Sequence, residues 1–383
     1  MVRNTLGTAL IPVIIPILAA ALAFAIGALL ITAAGISPAV AYSKLFQGAS
    51  GVNPAWAFGQ PLADLINRPA RLGNSLTEAI PLMLAALAVA LPFRCGLLNI
   101  GGEGQLYMGG LGATLAGLFI TGLSPALSLI VALITAFTFG AAWGTIAGVL
   151  RAYRGLNEII TTIMLNFVAF WLVSGLVHGP LKDTASFGYD WSAEVPIQLP
   201  VIQSQLRLTL GFPLALMAGV LVAIFLWRTT LGFELRAIGV SPTTARFVGM
   251  RVERGIVLAM ALSGGLAGLA GALVILGVQH RLSDFFSPGY GLDAIAVSLV
   301  GGAHPIGVLL AGVLFGALRT GAESMELSVG VPRAIAQLIQ ALTLLFVIIG
   351  QSSTIARWFA RQRTARLARF ATVANAAAPL SIH

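Results

Sequence analysis

Seven consecutive residues, Asn99-Ile100-Gly101-Gly102-Glu103-Gly104-Gln105, bring a carboxylate, two amides and three glycines together between the apolar segments 78–93 and 106–120. A charge at lipid depth is costly, so an acid there is read first as functional. Glycines let the backbone bend or come close to another group. Irregular backbone at that depth survives only where protein or a water-filled cavity satisfies it. The stretch therefore reads as a broken helix lining a polar pathway. Glu103 could bind a polar ligand or gate that pathway. Equally, it could be a structural acid satisfied by the Gly-rich turn or by N–H groups of a neighbouring helix. Asn99 and Gln105 carry the same two readings, and Asn99 also suits the start of a helix.

Other polar groups in apolar runs are few. Asp293 follows a second Gly-rich entry, Gly289-Tyr290-Gly291-Leu292, where it could cap the next span. Asn166 is mid-span, where a lone amide needs a partner, so interhelical hydrogen bonding comes before ligand contact. Phe167, Phe170 and Trp171 could stack on a flat ligand, but aromatics on spans more often face lipid or other helices. Ser263 beside Gly264 and Gly265 resembles a nucleophile's setting, yet no histidine sits mid-span to activate it. His178, His280, His304 and His383 are scattered without metal spacing, and Cys95 is the single cysteine. No cofactor, metal site or disulfide is expected.

The elements that must position these groups are membrane spans. The 383 residues are 58% hydrophobic and 9% charged, which is the composition of a multi-span membrane protein. Ten apolar runs are long enough to span, or nearly so: 10–34, 75–93, 97–121, 125–150, 157–179, 209–228, 255–278, 289–303, 305–320 and 331–350. The first reads as a retained span rather than a cleaved signal. The run 289–303 is short and suits a half-helix. One membrane domain, 1–350, is then followed by a basic tail, 351–383, carrying Arg357, Arg361, Arg363, Arg366 and Arg369.

The net charge of +9 sits largely in short loops and the tail, which points to topology and lipid headgroups rather than nucleic acid. Arg151 and Arg154, the basic loop from Arg228 to Arg254, and the tail fall on one side of a ten-span chain. The acidic loop 180–208, with Asp183, Asp190 and Glu194, falls on the other. Both termini are then cytoplasmic. Lys44, Arg68 and Arg71 in the external loop 35–74 run mildly against the rule, as long loops can.

A loose internal repeat relates residues 75–179 to 254–350 in opposite senses. Each half has a Gly-rich entry bearing an acid, then an apolar run ending in Gly-Gly (Gly109-Gly110 and Gly301-Gly302). Inverted repeats with interrupted helices at matching places point to a transport pathway between them. The loop 229–254 is longer than a connection needs. A short helix over 233–238 is expected, stopped by Gly239. Ser241 is a good N-cap and Pro242 a good first residue for a second helix, 242–248, presenting Ala245, Phe247 and Val248. Such helices suit the groove of a partner; the plainer reading is a loop lying on headgroups.

Four segments carry a family resemblance: 93–105, the run 155–166 (Gly-Leu-Asn-Glu-Ile-Ile-Thr-Thr-Ile-Met-Leu-Asn), the loop 229–250, and 291–297 (Gly-Leu-Asp-Ala-Ile-Ala-Val). They resemble, in order and over about 75–350, permease subunits of bacterial ABC importers in the simple sugar and nucleoside branch of the branched-chain amino acid permease group. The resemblance implies an all-α integral membrane fold of about ten transmembrane helices, with an inverted-repeat core and broken helices. It implies a non-catalytic import subunit of the bacterial inner membrane for a small molecule, a nucleoside or simple sugar. It places Asn99, Glu103, Gln105, Asn166 and Asp293 on the substrate pathway. It gives the coupling loop Gly232, Glu234, Arg236, Gly239, Pro242, Ala245, Phe247 and Gly249 to a partner ATPase. The implied partners are an ATP-binding subunit, a second permease in a heterodimer, and a periplasmic or lipid-anchored binding protein. In keeping with this, the chain has no Gly-x-x-x-x-Gly-Lys-Ser/Thr phosphate loop. The competing reading is an ion-coupled secondary transporter using Glu103 or Asp293.

Overall fold

The computed structural model describes residues 21–52, 69–120, 122–184 and 190–332, with 334–335, 337–339, 341–342 and 345 beyond them. Two compact units divide the chain. The first comprises Met1–Pro38 and Ala334–His383. Within it, helix α1 (Ala21–Ala33) and helical residues near 334–345 are described. The expected tail 351–383 with its arginines, residues 10–20 of the first span, residues 346–350 of the last, and Arg68 lie outside the described residues.

The second unit, Ala39–Arg333, holds every expected pathway residue. Its helices are α2 (Pro38–Ser50), α3 (Pro69–Arg94), α4 (Gly102–Phe119), α5 (Pro125–Arg154), α6 (Glu158–His178), α7 (Gly211–Arg228), α8 (Thr230–Val240), α9 (Pro242–Phe247), α10 (Val252–Val274), α11 (Tyr290–Val300) and α12 (Pro305–Val329). A π turn, Ile275–Gln279, extends α10. Strands β1 (Val201–Gln203) and β2 (Leu208–Thr209) make a small antiparallel hairpin.

Among the described residues, six helices are long and apolar enough to cross a membrane: α3, α5, α6, α7, α10 with its π turn, and α12. α1 and α11 are shorter apolar helices. The expected run at 97–121 becomes helical only at Gly102, because residues 97–100 are irregular after a turn at Cys95-Gly96. The run that begins at Pro305 continues to Val329, ended by Gly330 at φ +73.

α3 is buried on every side from Ala79 to Pro92, as expected of a helix that is apolar all round. α10 is likewise central. α5, α6 and α7 bury one face and expose large apolar side chains such as Ile134, Trp171 and Leu221 on the other. In lipid such an outer face is no liability. The centre is closed by small residues rather than by bulk. Side chains at Gly264 or Gly268 of α10 would collide with backbone of α5 at Gly140 and Ala136, and one at Gly109 of α4 would collide with Gly268. Three helices therefore meet backbone to backbone, where dispersion and close approach do the work that the hydrophobic effect does in water.

The acidic loop 180–208 is fastened to the segment after α10. Ser192, Val195 and Leu199 donate backbone N–H groups to Leu282, His280 and Leu276. Arg281 pairs with Asp183 at 3.0 Å and Glu194 at 3.3 Å, and Lys182 pairs with Asp190 at 2.6 Å. The hydrogen bond from Lys182 holds the Asp190 carboxyl below its usual range.

The crossing of α4, α5 and α10 makes a prediction. Gly268→Leu, which must push backbone apart, should lower stability by about 3 kcal/mol or more. Gly175→Leu, on an α6 face with nothing within 4 Å of a new Cβ, should leave it unchanged. Thermal melting of the purified chain in detergent checks both, and equal melting temperatures would mean the helices do not meet this closely.

Candidate functional site

The irregular segment 97–101 is held by a buried network. The Asn99 amide donates to Gln105 Oε1 at 2.8 Å and to Ser263 Oγ at 2.7 Å. Its oxygen accepts from the Gly101 N–H at 2.8 Å and from Gln105 Nε2 at 3.3 Å. Both donors and both lone-pair sites of Asn99 are thus used, and the residue is fully buried. The Ser263 hydroxyl, buried in α10, donates in turn to the Ala88 carbonyl of α3. That hydroxyl is an interhelical tie.

Asn166 of α6 serves the same break from the other side. It accepts from the Gly104 N–H at 2.8 Å and donates to the Ile100 carbonyl at 2.9 Å. Thr162, one turn earlier, accepts from the Ile100 N–H at 3.3 Å. Backbone groups that a broken helix leaves unpaired are thereby satisfied by amide and hydroxyl side chains. Asn99, Gln105 and Asn166 converge on this one segment.

Glu103 lies in the first turn of α4 and reaches the start of α11. Its carboxylate accepts the Gly291 N–H at 2.6 Å, with the Ser287 hydroxyl and Leu292 N–H also bonded to it. A side chain on Gly291 would collide with the Glu103 backbone, so the two Gly-rich entries touch directly. The first N–H groups of a helix have no partner inside it, and a carboxylate placed there supplies one.

Asp293 sits apart from Asn99, Gln105 and Asn166, in a cluster at the first turn of α11. Its carboxylate is 3.3 Å from Arg319 of α12 and half exposed. Arg319 also lies 3.5 Å from Glu78 of α3, donates to the Pro288 carbonyl at 3.0 Å and sits 4.7 Å over the Tyr290 ring. The Tyr290 hydroxyl donates to Glu78 at 2.9 Å. Sequence reasoning passed over Arg319, Glu78 and Tyr290. The available signal was that Arg319 is the one basic residue within α12. Phe170 packs against Tyr107, Trp171 and Phe285, while Phe167 and Trp171 are themselves exposed.

The loop after α7 is built as two capped helices. Thr229 caps α8 by accepting from the Gly232 N–H at 3.1 Å. Ser241 caps α9 by accepting from the Thr244 N–H at 3.3 Å, with Pro242 in the first turn. The expected stop at Gly239 does not occur: α8 continues to Val240. Gly239 instead meets the Arg94 carbonyl, where no side chain fits, as Gly232 meets the Phe225 carbonyl. Leu235, Ile238 and Ala245 face inward and are buried. Val240, Phe247 and Val248 face out, with Phe247 88% exposed. Glu234 and Arg236 are half-buried, and Gly249, at φ +85, turns the chain toward α10. A cavity of about 330 Å³ is lined by Pro242, Thr243, Arg246 and Phe247. Arg246 is paired with Glu253.

Removing the amide at the centre of the buried network should be costly. Asn99→Ala leaves Gln105, Ser263 and the Gly101 N–H short of partners, a loss of about 2–3 kcal/mol. Thermal denaturation of the purified variant measures it, and an unchanged melting temperature would show that water replaces the amide.

Residues 71–348 match the family described as branched-chain amino acid transport system / permease component. The chain is 36% identical over 340 residues to the guanosine ABC transporter permease protein NupP of Bacillus subtilis, covering 87% of this chain and 92% of that one. It is 31% identical over 354 residues to the nucleoside ABC transporter permease protein NupB of Lactococcus lactis, covering 88% and 91%. It is 36% identical over 315 residues to the glucose ABC transporter permease protein TsgB13 of Haloferax volcanii, covering 79% and 82%. With six long apolar helices among the described residues, the chain is a multi-pass membrane protein of the branched-chain amino acid transport system permease family.

Proposed function

We propose that this chain is the transmembrane permease subunit of an ATP-driven importer for nucleosides or simple sugars. The observation that carries the reading is the 229–249 loop. Its two short helices are locked to the core by Gly239, Leu235, Ile238 and Ala245, yet hold Val240, Phe247 and Val248 out in solvent. A rigid base under an exposed apolar tip suits a partner's groove. Family membership supplies the partner's kind, an ATPase, because the sequence has no phosphate loop of its own. A non-catalytic role, a periplasmic or lipid-anchored binding protein and a second permease chain complete the proposed assembly. The relatives named for guanosine, nucleosides and glucose support a substrate rich in hydroxyls.

In this reading the ten-span, inverted-repeat plan places both termini in the cytoplasm of a bacterial inner membrane. The domain is 1–350, with repeats at 75–179 and 254–350 and a basic tail at 351–383. What supports the repeat is that α4 and α11 both begin after irregular, non-helical segments and meet at Glu103 and Gly291. Glu103 and Asp293 face the pathway at this junction, and Asn99, Gln105 and Asn166 contribute by holding the break in α4 open.

The direct test is ATPase activity of the reconstituted complex against a panel of nucleosides, bases and sugars. Stimulation by nucleosides or by sugars fixes the substrate class. Uptake by this chain alone, driven by a proton gradient, would replace the proposal with a secondary transporter using Glu103 or Asp293. Phe247→Asp should abolish ATPase co-purification by placing a charge where an apolar side chain docks, and undiminished co-purification would remove the loop from the interface. Glu103→Gln should leave assembly intact and lower uptake about tenfold, the equivalent of one charge-assisted hydrogen bond of about 1.4 kcal/mol. Full uptake in that variant would take Glu103 off the pathway.

A further inference from the structure

Arg94 closes α3, and its backbone and side chain serve different neighbours. Its carbonyl is the seat of α8, where Gly239 lies so close that no side chain fits between them. A side chain added at Gly96, which has φ +75, would press on the same Gly239 backbone. The guanidinium reaches elsewhere. Nε donates to the Ala303 carbonyl at 2.9 Å and an Nη to the Gly302 carbonyl at 3.2 Å. Those carbonyls belong to the turn that joins α11 to α12. In that turn Gly302 and Ala303 both have positive φ, +64 and +49. A non-glycine residue keeps such a backbone only where its surroundings over-determine it. A planar fork of donors on adjacent carbonyls does that, and a lysine could not.

The same guanidinium lies 5.7 Å from the centre of the Trp227 ring at the end of α7, and Arg236 of α8 lies over that ring at 5.9 Å. The His304 ring, at the start of α12, packs on Trp227 at 4.8 Å. Among the described residues neither arginine is paired with a carboxylate. Arg94 is held by the indole face and two backbone oxygens, and Arg236 by the same indole face, contacts that fix direction more than they supply attraction. Four elements, α3, α7, α8 and the 301–304 turn, therefore meet at one residue.

We infer that Arg94 is the positioning residue that passes movement of the 229–249 loop to α11, and so to the far end of α11, where Gly291 holds Glu103. The inference rests on the proposed permease function. Its geometric content is a short chain of stiff parts: α8 on the Arg94 carbonyl, the Arg94 guanidinium on the turn, and α11, about 16 Å long, as a rod. A shift of α8 drags the turn because the same residue grips both.

Arg94→Ala and Arg94→Lys are each reconstituted with the second permease, the ATPase and the binding protein. In Arg94→Ala the ATPase stays bound and hydrolyses at its basal rate. Substrate moved per ATP falls about tenfold, within the usual range of coupling between two sites. Arg94→Lys, able to reach one carbonyl at a time, recovers part of the loss. Normal transport per ATP in Arg94→Ala overturns the inference alone. So does loss of ATPase binding in both variants, which would make Arg94 a fold-stabilising residue. A wild-type chain that never retains the ATPase overturns the permease reading, and this inference with it.

Discussion

Glu103 accepts the N–H of Gly291, and through that bond the two interruptions in the bundle share their unpaired groups. A helix that starts inside apolar surroundings exposes N–H groups that lipid cannot satisfy. α4 and α11 both start this way. Each could have been satisfied by its own loop, but here the acid of one entry serves the backbone of the other. Glycine at 291 is what lets the two backbones come that close. The remaining polar groups arrange themselves around the junction: Asn99, Gln105, Ser263 and Asn166 behind α4, and Asp293, Arg319, Glu78 and Tyr290 beside α11.

That arrangement explains which parts of the fold could be read from the sequence. Apolar runs are a local signal, and the starts at Pro125 and Pro305 and the caps at Asn157 and Ser241 follow from residues within a few positions of them. The entry at Glu103 was conspicuous because an acid is rare among apolar residues. Its partner was not, because the Gly291 N–H lies 188 residues away and carries no side chain to announce it. Arg319 stayed hidden for the opposite reason. A single arginine near the polar end of a long apolar run looks like a boundary, and only packing places it between Glu78 and Asp293.

Gly239 and Ala245 show the limit of local rules more sharply. Glycine in a helical stretch reads as a stop, since it lowers helix propensity. The cost is accepted at Gly239 because α8 must lie against the end of α3, and the helix continues. Ala245 reads as part of an apolar surface with Phe247 and Val248. In the fold it faces inward, and the outward side is Val240, Phe247 and Val248. A helix as short as α9 has too few residues for periodicity to decide which way it turns.

A pathway built on paired groups has consequences for how substrate could move through it. Asn99 has no hydrogen-bonding capacity left, and Asn166 and Glu103 are committed to backbone groups of the two breaks. In the proposed reading such groups would offer a hydroxylated substrate only what remains after their own obligations, so each site along the way would bind weakly. Weak sites suit a permease of the proposed kind. Selectivity can then reside in a separate binding protein and energy in a separate ATPase, while the membrane subunit must let go of what it carries. A carrier working alone would have to combine recognition, ion coupling and release within one chain. Asp293, half exposed beside Arg319, is the acid of this junction with the most capacity to spare. It lies two residues beyond Gly291 in the same first turn of α11, so any motion of that helix moves the junction and its freest carboxylate together.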